Sequence, residues 1–557
     1  MASLMPHPDP LFAGRATLSP NLQAPLLGTA QRLERFGVRH VPDGLGEAVM
    51  KPFACAASLL ALSLTAPSFA APAVYLTPDT ASPKMVTLGG AGFVNHGLVG
   101  AGRLAASTRD FQGDTLGSFS GMAVTEWRRT ADGGYEGKLM TLPDRGPNGV
   151  GTVAGTTPYD NRVHAFDLAF RPLADGASGG ADQLTLTPTG GFLLKDDKGH
   201  AFTGMDPGDG VVFCGRAACP SALTGPGGFR ISLDGEALAR LPDGGFYVGD
   251  EYAANIYRFD AHGALKGVIA PVAAVSPRKD GRPALSSEIK PQSGRRPNQG
   301  FEGVAVSPDG KRLFALLQSA AVQDSGDGDA ERAVSRLFVY DIEKDPTPAA
   351  PVAEYALELP VLRTKGDGGA PDKVAAQSEL LALSDHQFLV LARDGAGLGS
   401  GSARPTVYRS VLLVDTAGAT NLAGAKNDAT GAAIAPGGVL AQGVVPAGQA
   451  QLVNLADRAG LARVGVNLDN AAPNAATLPE KLESLAIVPA LDPAAPNDVF
   501  LLVGSDNDFQ TARGKVGDLA FDAAPKTPEG APTADNDSLV LVYRLTLPAD
   551  LAAQRRF

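Results

Sequence analysis

From about residue 90 onward, runs of apolar residues alternate with short clusters of Gly, Pro, Asp and Ser. Apolar runs of this length bounded by turn formers predict strands. One unit recurs: an acidic residue, an apolar strand containing Ala, a turn, then a second apolar strand that ends in polar groups. It appears as Asp234–Leu241, Pro242-Asp243-Gly244-Gly245 and Phe246–Glu251, and again as Gly300–Val306, Ser307-Pro308-Asp309-Gly310 and Leu313–Gln318. Two further copies begin at Ser378-Glu379 and Lys481-Leu482-Glu483, ending at Arg393-Asp394 and at Ser505-Asp506-Asn507-Asp508. A weaker first copy runs from Ser120 to Asp144-Arg145-Gly146 and lacks the leading Glu.

Each copy predicts a β-hairpin, because Asp-Gly and Gly-Gly supply the positive backbone angles that tight hairpin turns need. Apolar segments such as Arg336–Asp341, Tyr408–Asp415 and Leu539–Leu545 follow most copies and predict outer strands. A unit that returns several times fits a β-propeller better than a sandwich. The Glu spacings of 66, 77 and 104 residues exceed a minimal blade of roughly 40–50 residues, so loops are inserted. The five copies plus strands near the N-terminal end give an all-β single propeller of six blades, with five or seven as alternatives. Helix is expected only over the short stretches Glu354–Leu359 and Asp550–Arg555.

Composition narrows the class. The 557 residues include 67 Gly and 43 Pro, 44% hydrophobic and 19% charged residues. That content supports a large core with many turns and argues against disorder or coiled coil. The net charge of −11 lacks the basic footprint of a nucleic-acid binder. It gives no attraction to anionic membranes either.

Lys51 is followed by an apolar run to Ala66 and then by Ser68-Phe69-Ala70, the pattern of a secretory signal. The expected organisation is a disordered or miscalled upstream stretch over 1–49, a signal over 50–70, and one domain over 71–557 with its core at about 90–545. No later segment is long and apolar enough for a membrane span. The expected location is periplasmic or secreted, and the expected state a monomer. Cys214 and Cys219 then form an even pair in an exported chain, which predicts one small-loop disulfide.

In a propeller the first strand of each blade lines the central channel. Glu236, Glu302, Glu379 and Glu483 would converge at its mouth, with Asp144, Asp250, Glu251, Asp394, Asp506 and Asp508 nearby. So many carboxylates need a neutralising cation. Oxygen ligands with few His or Cys point to calcium, with magnesium or manganese as alternatives. The metal candidates are Glu236, Asp250, Glu302, Glu379, Glu483 and Asp506. The competing reading has these carboxylates capping loop amides or pairing with Arg.

Arg145 and Arg393 are candidate catalytic residues in contact with substrate, since a guanidinium grips phosphate or carboxylate through two prongs. A basic insertion (Arg278, Lys279, Arg282, Lys290, Arg295, Arg296) could form an anion-attracting lid, or simply a solvated loop. There is no Gly-X-Ser-X-Gly elbow. His96 is the best acid-base candidate among histidines that sit mostly in turns.

The segments Leu142–Asn148, Gly249–Tyr252, Asn298–Gly303 and Ser505–Phe509 together resemble the phytase-like domain family, whose members are named "esterase-like activity of phytase". The resemblance covers about residues 90–545. It implies an exported β-propeller related to calcium-dependent propeller phytases. The expected function is metal-dependent hydrolysis of a phosphate ester or other ester, with calcium-bound water as nucleophile and a small anionic or ester substrate. Two alternatives stand beside it: a gluconolactonase-like lactone hydrolase, and a non-catalytic binding propeller braced by calcium.

Overall fold

The computed structural model describes residues 74–75, 81–117, 119–223, 228–366 and 369–555. The stretch 1–49 and the signal at 50–70 lie outside the described residues. The described residues fall within the compact unit Ser68–Phe557.

Five antiparallel sheets make up most of it. The first holds Gly121–Arg129, Tyr135–Leu142, Arg162–Phe170 and Leu184–Leu193. The second holds Gly235–Arg240, Phe246–Asp250, Ile256–Phe259 and Leu265–Ile269. The third holds Phe301–Val306, Arg312–Leu317, Val334–Asp341 and Ala353–Glu358. The fourth holds Ala376–Ala382, Gln387–Arg393, Arg409–Asp415 and Gly448–Asn454. The fifth begins with Leu482–Pro489, Asp498–Ser505 and Ser538–Thr546. It is completed by Ala91–Leu104 and Met85–Leu88 from the other end of the chain.

The first strand of each sheet touches the first strand of the next, and the fifth returns to the first, so the five inner strands close a ring. The N-terminal strands therefore join the last sheet, and do not form the separate sixth unit counted from sequence. Pairing them with Ser538–Thr546 joins N-terminal and C-terminal strands within one sheet.

The core follows from this stacking. One hydrophobic cluster fills each gap between neighbouring sheets. Phe246 and Leu142 meet between the second and first sheets, and Tyr247 and Phe338 between the second and third. Phe314 and Phe388 pack edge to face, 4.7 Å between centroids, between the third and fourth. Leu389 and Leu501 share the fourth gap, and Trp127 and Phe500 the fifth. Second strands are thus buried on both faces, which is why Phe246–Asp250 and Asp498–Ser505 read as continuous apolar runs.

The hairpin turns match their sequences. In Pro242-Asp243-Gly244-Gly245, Gly244 adopts φ 87° and the Gly245 amide donates to Asp243 Oδ1 at 2.8 Å. One expectation fails locally. Ala353–Glu358 is the outer strand of the third sheet, not a helix. Its Glu354 is drawn inward by the buried Arg336, at 2.9 Å, and pairing with Val334–Asp341 overrides any local helical preference. The short helix Ala549–Ala552 does form near the C-terminal end.

Cys214 and Cys219 are disulfide-bonded across the hairpin of Val211–Cys214 and Ala217–Ala222. Replacing both with Ser should cost about 2 kcal/mol by the chain-entropy account for so short a loop. Urea denaturation would measure it, with any calcium response left intact. Among the described residues no helix is long and apolar enough to cross a membrane.

Candidate functional site

The inner strands carry a shared irregularity. In the second sheet the register slips between Gly235 and Ala237, in the third between Phe301 and Gly303, and in the fifth between Leu482 and Ser484. The residues left over are Glu236, Glu302 and Glu483. A β-bulge re-aims the extra side chain out of the pleat, and here it sends three glutamates towards one place. Burial raises the Glu236 carboxyl well above the usual range, and the charges of Glu302, Asp234, Glu251 and Glu483 raise it further. Glu302 is raised in the same way by burial and then by Glu251 and Glu483.

In the fourth sheet the slip falls between Gln377 and Glu379, so the bulged residue is Ser378. One residue of offset turns a side chain to the opposite face of a strand. Glu379 accordingly stands apart from the other three glutamates: its Oε1 accepts from its neighbour's amide, Leu380 N, at 2.8 Å. Ser378 accepts instead from Arg393 Nε at 3.0 Å, and Arg393 reaches on to Glu483 Oε1. Where three sheets offer a carboxylate, the fourth offers a guanidinium.

Strand ends and loops complete the cluster. One carboxylate oxygen each from Asp144, Asp234 and Glu236 lie within 4.8 Å of one another, as do those of Asp144, Asp506 and Asp508. Asp144 belongs to both sets. Burial pushes the Asp144 carboxyl up to about 7; Lys481 and Arg145 act against that push, Asp234 and Asp508 with it. Glu251 is also raised to about 7, first by burial and then by Asp234. Asp506 is raised by burial and then by Asp508.

Three basic groups border the cluster. Arg145 Nη1 lies 3.0 Å from Asp234 Oδ2, and the same guanidinium is tied to Ser287 at 3.0 Å and to Asn298. Lys481 Nζ lies 2.8 Å from Asp508 and 3.6 Å from Asp506. Arg393 is the third. Eight carboxylates (Asp144, Asp234, Glu236, Glu251, Glu302, Glu483, Asp506, Asp508) thus face three cations.

The shortfall shows at single atoms. Glu251 Oε1, Glu302 Oε2, Glu483 Oε2 and Asp506 Oδ2 are buried without a hydrogen-bond partner. Lys481 comes within ion-pair range of the last, but at 3.6 Å it makes no hydrogen bond. An unpaired buried carboxylate oxygen is costly. A hard divalent cation with several oxygen ligands would satisfy these atoms, so the residues present fit the calcium that the sequence suggests.

The cluster includes Glu236, Glu302, Glu483, Asp506, Arg145 and Arg393 from the sequence-based candidates. It leaves out Glu379 and also Asp250, which accepts backbone amides from Asp234, Tyr252 and Ala253 at 3.3, 3.1 and 2.8 Å and so fixes the loop after its strand. Asp394 is likewise occupied by the amides of Ala396, Val407 and Tyr408.

Arg295, from the basic insertion, is fully buried and donates to the carbonyls of Tyr252, Leu285, Ser286 and Arg296. It bolts the loop down and presents no charge to an incoming anion. His96 lies on the fifth sheet's outer region, 2.8 Å from Thr546 Oγ1. Asp234 and Lys481 carry a signal that is visible only with the bulges located: each immediately precedes an inner strand and stands two residues before its bulged Glu.

A family model described as "Phytase-like: Esterase-like activity of phytase" matches residues 114–509. The chain belongs to the phytase-like family. The match takes in all of the site residues from Asp144 to Asp508 in this phytase-like protein. An "Uncharacterized secreted protein" of Arthroderma benhamiae is 31% identical over 474 residues, covering 78% of this chain and 91% of its own. Among solved structures, the PQQ-bound aldose sugar dehydrogenase of Streptomyces coelicolor aligns with 84% of the chain at 12% identity and a TM-score of 0.26. Kluyveromyces lactis Hsv2 aligns with 53% at 8% identity and a TM-score of 0.18. Likenesses that slight say nothing about chemistry.

Proposed function

We propose that the ring of five sheets is a five-bladed β-propeller whose axial carboxylate cluster binds calcium. In this reading it hydrolyses a small anionic ester, a phosphate ester or another ester, outside the cytoplasm. The observation that carries it is the group of buried, unpartnered carboxylate oxygens on Glu251, Glu302, Glu483 and Asp506. The disulfide and the secreted relative support an oxidising, exported setting.

Asp144, Asp234, Glu236 and Glu302 would hold the cation. When bound, calcium supplies neutralising charge for an anionic substrate and lowers the pKa of water at the site. Arg145 touches Asp234 and Arg393 touches Glu483, so each borders the cluster. Their guanidinium groups are placed to orient an anionic group and to stabilise charge that grows during reaction. Glu251, buried with an Oε1 that has no hydrogen-bond partner, is the candidate to transfer a proton beside the cation.

The test uses the protein without residues 1–70. Calcium is titrated against EDTA while turnover of phytate, p-nitrophenyl phosphate, p-nitrophenyl esters and lactones is followed. Calcium-dependent turnover of a phosphate or carboxylic ester is the expected result. Lactone turnover alone would favour the lactonase reading. A calcium-dependent rise in melting temperature without turnover would favour the binding propeller, and no calcium response would remove the metal.

A further inference from the structure

The two overlapping carboxylate sets are not equivalent, because the chain treats them differently. In the set of Asp144, Asp506 and Asp508, the Lys481 ammonium stands 2.8 Å from Asp508 Oδ1, 3.6 Å from Asp506 Oδ2 and 3.9 Å from Glu483 Oε1. An ammonium is a compact point charge, the closest a side chain comes to a bound metal ion. Its side chain is only 28% exposed, and the backbone holds its origin fixed, with the Asp506 amide donating to the Lys481 carbonyl at 2.9 Å.

The set of Asp144, Asp234 and Glu236 has no such occupant. Its basic neighbour, Arg145, approaches Asp234 alone among the three, at 3.0 Å. The rest of that planar group is turned to Ser287 and Asn298 and lies over the Tyr252 ring, 5.6 Å from its centroid. Glu251 and Glu302 each hold a buried Oε atom without a hydrogen-bond partner, and both raise the Glu236 carboxyl of this second set.

We propose that Lys481 is a resident cation that fills the Asp144–Asp506–Asp508 half of the centre. The protein therefore takes one divalent ion, in the Asp144–Asp234–Glu236 half. This rests on the calcium reading above and adds to it the number of ions and their place. It also leaves a fixed positive charge beside the ion, where an anionic substrate would meet both.

The deciding measurement is calcium stoichiometry, by isothermal titration and equilibrium dialysis on the purified protein, alongside its Lys481→Met and Lys481→Arg variants. One ion is expected for the unaltered protein and for Lys481→Arg. Two are expected for Lys481→Met, because removing the ammonium leaves three carboxylates uncompensated. One ion in folded Lys481→Met, or two in the unaltered protein, would overturn the assignment.

Should Lys481→Met fail to fold, Asp508→Asn decides. Calcium affinity within about threefold of the unaltered protein is expected, because Asp508 faces the lysine and not the ion. A loss of tenfold or more, about 1.4 kcal/mol, would overturn the assignment. Absence of any calcium binding by the unaltered protein would instead sink the calcium reading itself.

Discussion

Glu302→Gln is expected to raise or preserve the melting temperature in EDTA, to shrink the stabilisation given by calcium, and to abolish calcium-dependent turnover. Two opposed effects of one charge produce this. Without metal, Glu302 is buried beside Glu251 and Glu483, and a neutral amide relieves that repulsion. With metal, the same change removes a charged ligand whose Oε2 has no partner in the protein. Calcium at a hundred times its Kd stabilises a fold by about 2.7 kcal/mol, and each tenfold loss of affinity removes about 1.4 kcal/mol of that. Thermal melts with and without calcium read both signs in one experiment. Glu379→Gln is the control. Its side chain stands outside the cluster, so the calcium midpoint should stay within about twofold. An equal loss in both variants would show that the bulge does not select which glutamate matters.

The second large effect is on pH dependence. In EDTA, stability should fall as pH rises from about 4 to about 7. The sign follows from proton binding. Asp144 has its ordinary value near 3.8 unfolded and about 7 folded, raised chiefly by burial. Between those values the folded state holds the proton more tightly than the unfolded state. The stabilisation is thus complete below pH 4 and is lost as pH passes through 7. For Asp144 alone the loss is on the order of 4 kcal/mol, and Glu251, also raised to about 7 by burial and then Asp234, acts in the same direction. In the proposed calcium reading the ion takes the ionised carboxylates, so added calcium should flatten or reverse the slope. Urea midpoints at pH 5 and pH 8, each with EDTA and with calcium, check this. An unchanged midpoint across that range in EDTA would mean that the carboxylates are already neutralised by groups of the protein.

Much of the fold could be read along the chain, and the reasons are local. Asp-Gly and Gly-Gly turns between apolar runs predict hairpins, and the hairpins at Asp243-Gly244 and Asp309-Gly310 form as read. The pair Cys214 and Cys219 predicts a disulfide, which is present. The four motifs Leu142–Asn148, Gly249–Tyr252, Asn298–Gly303 and Ser505–Phe509 resemble the phytase-like family, and that family is confirmed over residues 114–509.

Other features depend on partners far away in sequence. Ala353–Glu358 is a strand because Val334–Asp341 pairs with it and Arg336 holds Glu354. Met85–Leu88 and Ala91–Leu104 extend the fifth sheet because Ser538–Thr546 offers them an edge more than 400 residues on. Recurrence alone counted those strands as a sixth unit.

The site divides along the same line. The sequence by itself determined which residue types repeat: a carboxylate at the head of four of the five inner strands, with Arg393 ending one second strand and Arg145 just past the end of another. Only the tertiary structure decided which of them meet. A bulge at Glu236, Glu302 and Glu483, but at Ser378 and not Glu379, is a slip of one residue in register. Since side chains alternate across a strand, that slip moves a group from one face to the other. Local sequence fixes the period of a strand. Its register is fixed by the neighbouring strand, and the company a buried charge keeps is fixed by the closure of the ring.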